Sequence, residues 1–113
     1  MSAEMKIFLD VREKFPKSFK DINRIFEANG WSWQYAFEAN DMGQFLRGPR
    51  TLARFEVWKT LLVNDGLSSK AVAAITLSSD AGIRTAMNRN GYATNTTSKR
   101  WEKVLKSPSG KEV

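Results

Sequence analysis

Apolar residues recur at helical intervals along most of this chain, and caps, glycines or prolines interrupt them. Met5, Phe8, Leu9, Arg12 and Phe15 predict a first helix within residues 3–15. Pro16 ends it, because proline lacks a backbone donor and restricts the residue before it. Ser18 then caps a second helix, Phe19 to Ala28, whose stripe is Phe19, Ile22, Ile25 and Phe26. Asn29-Gly30 stops it. Ser32 caps a third short helix inside the aromatic run Trp31 to Phe37. Asn40-Asp41-Met42-Gly43 interrupts, and Gln44-Phe45-Leu46-Arg47 adds one more turn before Gly48. Pro49 suits the first position of a long fourth helix carrying Leu52, Ala53, Phe55, Val57, Trp58, Leu61 and Leu62. That helix ends at Asn64-Asp65-Gly66, and its apolar share makes it the expected centre of the core.

The second half holds two short helices around a turn. Leu67 and the hydroxyl caps Ser68 and Ser69 precede an apolar helix through Ile75, and Leu77-Ser78-Ser79-Asp80 breaks it. Ala81 to Tyr92 forms the next helix, with Arg84, Thr85, Asn88 and Arg89 on the face opposite Ile83 and Met87. After Gly91 two readings compete. Tyr92-Ala93-Thr94 and Lys99 to Val104 fit a two-stranded hairpin around Asn95-Thr96-Thr97-Ser98. Alternatively, Ser98 caps a last helix with Trp101, Val104 and Leu105 on one face. The hairpin is the favoured reading. Ser107 to Val113 has no apolar anchor and is expected to be a mobile tail. The expected fold class is mainly α, a small helical domain with a helix-turn-helix and a short C-terminal β-hairpin. It covers residues 1–106, as N-terminal helices 1–48 and a second part 49–106. A weak echo runs at an offset of 50, where Ile22, Ile25, Trp33, Ala36 and Phe37 align with Val72, Ile75, Ile83, Ala86 and Met87. It raises the possibility of a second helix-turn-helix-like unit at residues 19–38, although any two short helices around a turn share such a pattern.

Composition narrows the chemistry. The 113 residues contain no cysteine and no histidine, which removes disulfides, thiol nucleophiles, the usual zinc ligands and the commonest general base. Zinc-finger and histidine-dependent nuclease readings are thereby excluded, and no metal or cofactor is expected. Serines and threonines have no histidine partner. Glu56 and Lys59 share a helix with no aspartate at nuclease-like spacing before them, so catalysis is not expected. The formal charge of +6 is uneven. Residues 1–66 carry ten Lys/Arg against nine Asp/Glu, whereas residues 67–113 carry eight against three. Positive charge gathered on one part of a domain attracts polyanions. No stretch has the length of a signal-peptide core or a membrane span, so a cytosolic location in a bacterial or host cell is expected.

Residues 49–105 resemble the winged helix-turn-helix superfamily of DNA-binding proteins. Small Ala73 and Ala74, the apolar set Val72, Ile75, Leu77, Ile83, Ala86 and Met87, and the caps Ser79 or Asp80 carry the resemblance. The chain departs from the tightest form of the motif, which has a glycine in a three-residue connection. Here Thr76 or Leu77 stands near the glycine position, and Leu77 to Asp80 reads as a longer turn. The resemblance implies a sequence-specific double-stranded DNA-binding protein, a small transcriptional regulator or accessory factor whose helix 80–90 reads the major groove. Arg84, Thr85, Asn88 and Arg89 are the base-reading candidates, since Arg matches guanine O6 and N7 and Asn matches adenine N6 and N7. Lys70, Ser79, Thr96, Lys99, Arg100 and Lys103 are the phosphate-binding candidates. The same residues also suit ordinary solvated surfaces.

Trp31, Trp33 and Tyr35 admit three readings: core packing, a homodimer or host-protein interface, and base stacking. An interface role supports the alternative function, an inhibitor or adaptor that binds another protein through a winged-helix scaffold. Compactness and the lack of an effector domain suit a phage, plasmid or mobile-element product.

Overall fold

A computed structural model describes residues 3–37 and 49–104. Its elements in order are α1 (Ala3–Lys14), α2 (Pro16–Asn29), α3 (Trp33–Phe37), α4 (Pro49–Asn64), α5 (Ser69–Thr76), α6 (Asp80–Arg89), β1 (Tyr92–Thr94) and β2 (Trp101–Lys103). The fold is mainly helical with a small C-terminal hairpin. The additional turn expected at 44–47 and the tail at 107–113 lie outside the described residues.

The first two helices differ from expectation in instructive ways. On α1 the residues sealed in the core are Ile7 and Val11, one turn apart. Phe8 and Phe15 pack beside them, while Met5 is 45% exposed and Arg12 faces solvent. Met5, Ile7, Phe8, Leu9 and Val11 form a wide apolar arc opposite Lys6, Asp10, Glu13 and Lys14, so spacing alone does not select the buried stripe. α1 stops at Lys14, just before Pro16 as expected, and the proline also begins the next helix. It occupies the first turn of α2, where its missing N–H has no intrahelical partner to lose. Ser18 is therefore not a cap. It lies inside α2, fully buried, and its hydroxyl donates to the Asp65 carboxylate beyond α4.

α4 is the central element, packing against α2, α3, α5, α6 and β2. One apolar cluster joins both halves of the chain. It takes Ile22 and Phe26 from α2, Val57, Leu61 and Leu62 from α4, Val72 from α5 and Ile83 and Met87 from α6. Burying side chains of this size is worth roughly 1.5–3 kcal/mol each. Thr76 is the polar joint between α4 and α5. Its buried Oγ1 donates to the Val72 carbonyl at 2.8 Å and accepts from Trp58 Nε1 at 3.1 Å.

The hairpin forms at the favoured position. Tyr92 pairs with Lys103, Ala93 with Glu102 and Thr94 with Trp101, antiparallel. Asn95 organises the loop, accepting from the N–H groups of Thr97 and Ser98 at 2.8 and 2.9 Å through its side chain. Trp101 is buried, and it anchors this edge of the sheet to the helical core. Tyr92 thus belongs to the strand, because α6 stops at Arg89.

Candidate nucleic-acid interface

The connection between α5 and α6 is three residues, Leu77-Ser78-Ser79, and not the longer turn expected from Leu77 to Asp80. Asp80 is already helical, because Ser79 is the cap and its Oγ accepts from Gly82 N–H at 3.0 Å. A Cβ on residue 82 would lie 2.8 Å from that oxygen, which explains a glycine in the first turn of the helix. The other end of the turn is closed by Leu77 in the left-handed region, φ 54°. Glycine is the residue that adopts this conformation without steric cost. Leu77 holds it with a side chain that is 56% exposed.

The α2–α3 connection has the same construction. Gly30, φ 71°, closes α2, and Ser32 Oγ accepts from Tyr35 N–H at 3.0 Å. Trp31 N–H donates to the Phe26 carbonyl at 2.9 Å, and Ser78 N–H donates to the Ala73 carbonyl at the same distance. Ala36 and Ile83 likewise donate to the carbonyls of Ser32 and Ser79. The echo in the sequence is therefore a repeated turn, aligned at 47 positions and not at 50. In the first copy Phe37 stands at the place of Arg84 and is buried, as are Trp33 and Ala36.

On α6, Ile83 and Met87 are fully buried, and Arg84, Thr85, Asn88 and Arg89 are all exposed. The four base-reading candidates thus share the outward side of the second helix. One acid stands among them. Asp80 Oδ2 lies 3.5 Å from Arg84 Nη2, one helical turn away. The i, i+4 spacing of Asp and Arg was visible in the sequence as a pairing signal.

The basic residues separate into two groups. Lys70 on α5 and Lys99 in the hairpin loop are exposed, as is Thr96 at the loop's tip. Arg100 is exposed but engaged. Its Nη2 donates to the Val63 carbonyl near the end of α4 at 2.8 Å, and its guanidinium lies over Gly66. Lys103 Nζ donates to the Asn90 carbonyl at 3.2 Å and sits 5.0 Å from the Tyr92 ring centre. Both cations fasten the hairpin to helix ends, where exposed carbonyls attract positive charge. Ser79 is likewise engaged as the cap, and the Gly82 N–H it satisfies is no longer open to a phosphate.

The aromatic run packs mainly inward. Trp33 is 9% exposed, stacks on Phe19 at 5.6 Å and donates from Nε1 to Asn23 Oδ1 at 2.6 Å. This corrects its assignment to a protein interface, because a buried, hydrogen-bonded ring cannot anchor a partner on the outside. Trp31 and Tyr35 are half-buried, and Trp31 meets Phe26 edge-on at 6.1 Å. A cleft of about 300 Å³ opens between α2, α4 and β1, lined by Asp21, Arg24, Lys59 and Tyr92 among others. Its charges are already matched, Arg24 to Asp21 and Lys59 to Glu56. Among the described residues, no helix is long and apolar enough to cross a membrane, and no cluster of acidic residues could hold a metal ion.

No known family model matches the chain, and comparison with curated proteins and with solved structures gives no significant match.

Proposed function

We propose that this chain is a sequence-specific double-stranded DNA-binding protein, with α6 in the major groove and the hairpin along the phosphates. One observation carries the reading. The second helix of a helix, three-residue turn, helix unit has its apolar side seated in the core by Ile83 and Met87. Its other side leaves two arginines, an asparagine and a threonine facing solvent. Arg and Asn are the side chains that match guanine and adenine edges bidentately. The +5 balance over residues 67–113 supplies the long-range attraction. Lys70, Thr96 and Lys99 are the proposed phosphate contacts, with Arg100 and Lys103 chiefly shaping the hairpin. A regulatory or accessory role in the cytosol accords with this reading.

Selection of bound duplexes from a random library at near-physiological salt tests it. An enriched site whose binding weakens steeply with salt is the expected result, and a palindromic site adds dimer symmetry. No enrichment, together with salt-insensitive binding to another protein, supports the adaptor reading instead.

A further inference from the structure

Asp80 is an unexpected residue to find on a surface that meets a polyanion. A carboxylate there repels phosphates and weakens binding to every duplex alike. Helix stabilisation is one reason for its presence, since an acid in the first turn favours the helix N-terminus. The side-chain geometry gives a second reason. Asp80 Oδ2 lies 3.5 Å from Arg84 Nη2, and the acid precedes the base by one turn, the favourable order on a helix. The Asp80 side chain is 26% exposed and Arg84 is 57% exposed, so the acid is the better-fixed partner. Its other oxygen, Oδ1, is buried and accepts no hydrogen bond among the described residues.

An unpaired arginine on a helix surface samples many rotamers and loses that freedom when it binds. A guanidinium has five N–H donors in a planar fork. The ion pair reaches the guanidinium through Nη2 alone, which leaves the remaining donors to face a base. We infer that Asp80 is a positioning residue for Arg84: it trades general affinity for discrimination of guanine. The inference rests on the DNA-binding reading above and adds a specificity device to it.

The test compares D80N, D80E and the unchanged protein on two probes, the duplex enriched by selection and a random duplex of equal length. D80N removes the charge at nearly constant shape. It is expected to bind the random duplex more tightly, with the ratio of selected to random binding falling by about tenfold, within the range of one bidentate base contact. D80E retains a carboxylate at the same spacing and is expected to recover most of that ratio. In an R84A background, D80N changes general affinity and leaves the ratio alone. A purely helix-stabilising Asp80 alters the melting temperature without moving the ratio. An unchanged or higher ratio in D80N therefore overturns the positioning role while DNA reading stands. If the unchanged protein prefers no duplex, the DNA-binding reading falls, and the inference with it.

Discussion

Leu77 gives the sharpest test of the α5–α6 turn. A residue with a β-carbon pays roughly 1–2 kcal/mol in the left-handed region, and Leu77 sits there at φ 54°. Leu77→Ala and Leu77→Gly delete the same side-chain atoms beyond Cβ, so the difference between them isolates the backbone. Glycine relieves the strain but loses more chain entropy on folding, which returns about 0.5–1 kcal/mol. The net expectation is that the Gly variant is more stable than the Ala variant by about 0.5–1 kcal/mol. For a chain of 113 residues that is a melting temperature higher by about 2–5 °C. Urea unfolding followed by the fluorescence of Trp33, Trp58 and Trp101, all buried, measures it. An Ala variant as stable as the Gly variant, or more so, refutes the argument. That order belongs to an ordinary helical position, and it would mean that Leu77 does not close α5 in the left-handed region.

Thr76→Val keeps shape but leaves Trp58 Nε1 without its acceptor; unfolding titrations should show a loss of about 1–3 kcal/mol, and a neutral result would mean the joint has another donor–acceptor arrangement. Arg84→Ala is expected to weaken binding to the selected duplex by about 1–3 kcal/mol and to relax preference at one base position. Mobility shifts on single-base variants of the site read this directly. Lys99→Ala should weaken all duplexes alike and reduce the salt slope by about one; a change confined to one sequence would make it a base contact.

Much of the fold follows from local signals. Ser32, Ser68 and Ser79 all cap the helices they precede, because a cap is decided by residues within one turn of it. Gly30 and Pro49 also mark the boundaries expected of them. What the sequence hid was decided at a distance or against local preference. Ser18 finds its partner in Asp65, far along the chain, and Arg100 finds Val63; neither pairing leaves a trace in spacing. The α5–α6 turn is one residue shorter than the spacing suggests, because Ser79 and not Asp80 is the cap and two adjacent residues both suit that role. Ile7 and Val11 lie at one side of a wide apolar arc on α1, and only the packing of neighbouring helices selects which part of that arc is sealed. The candidate interface was easier to locate, since exposed Arg84, Thr85, Asn88 and Arg89 need only the 3.6-residue period and the buried Ile83–Met87 pair. Whether a cation is free or engaged was not legible, as Lys103 on Asn90 demonstrates.

The central claim is that the outward side of α6 meets duplex DNA. Backbone amide resonances of the ¹⁵N-labelled protein, titrated with the enriched duplex, test it most directly. The account predicts the largest shifts at residues 80–89, with a second group at 95–100 and little change along α1. Shifts centred on α1 and α2, with α6 unmoved, would contradict it.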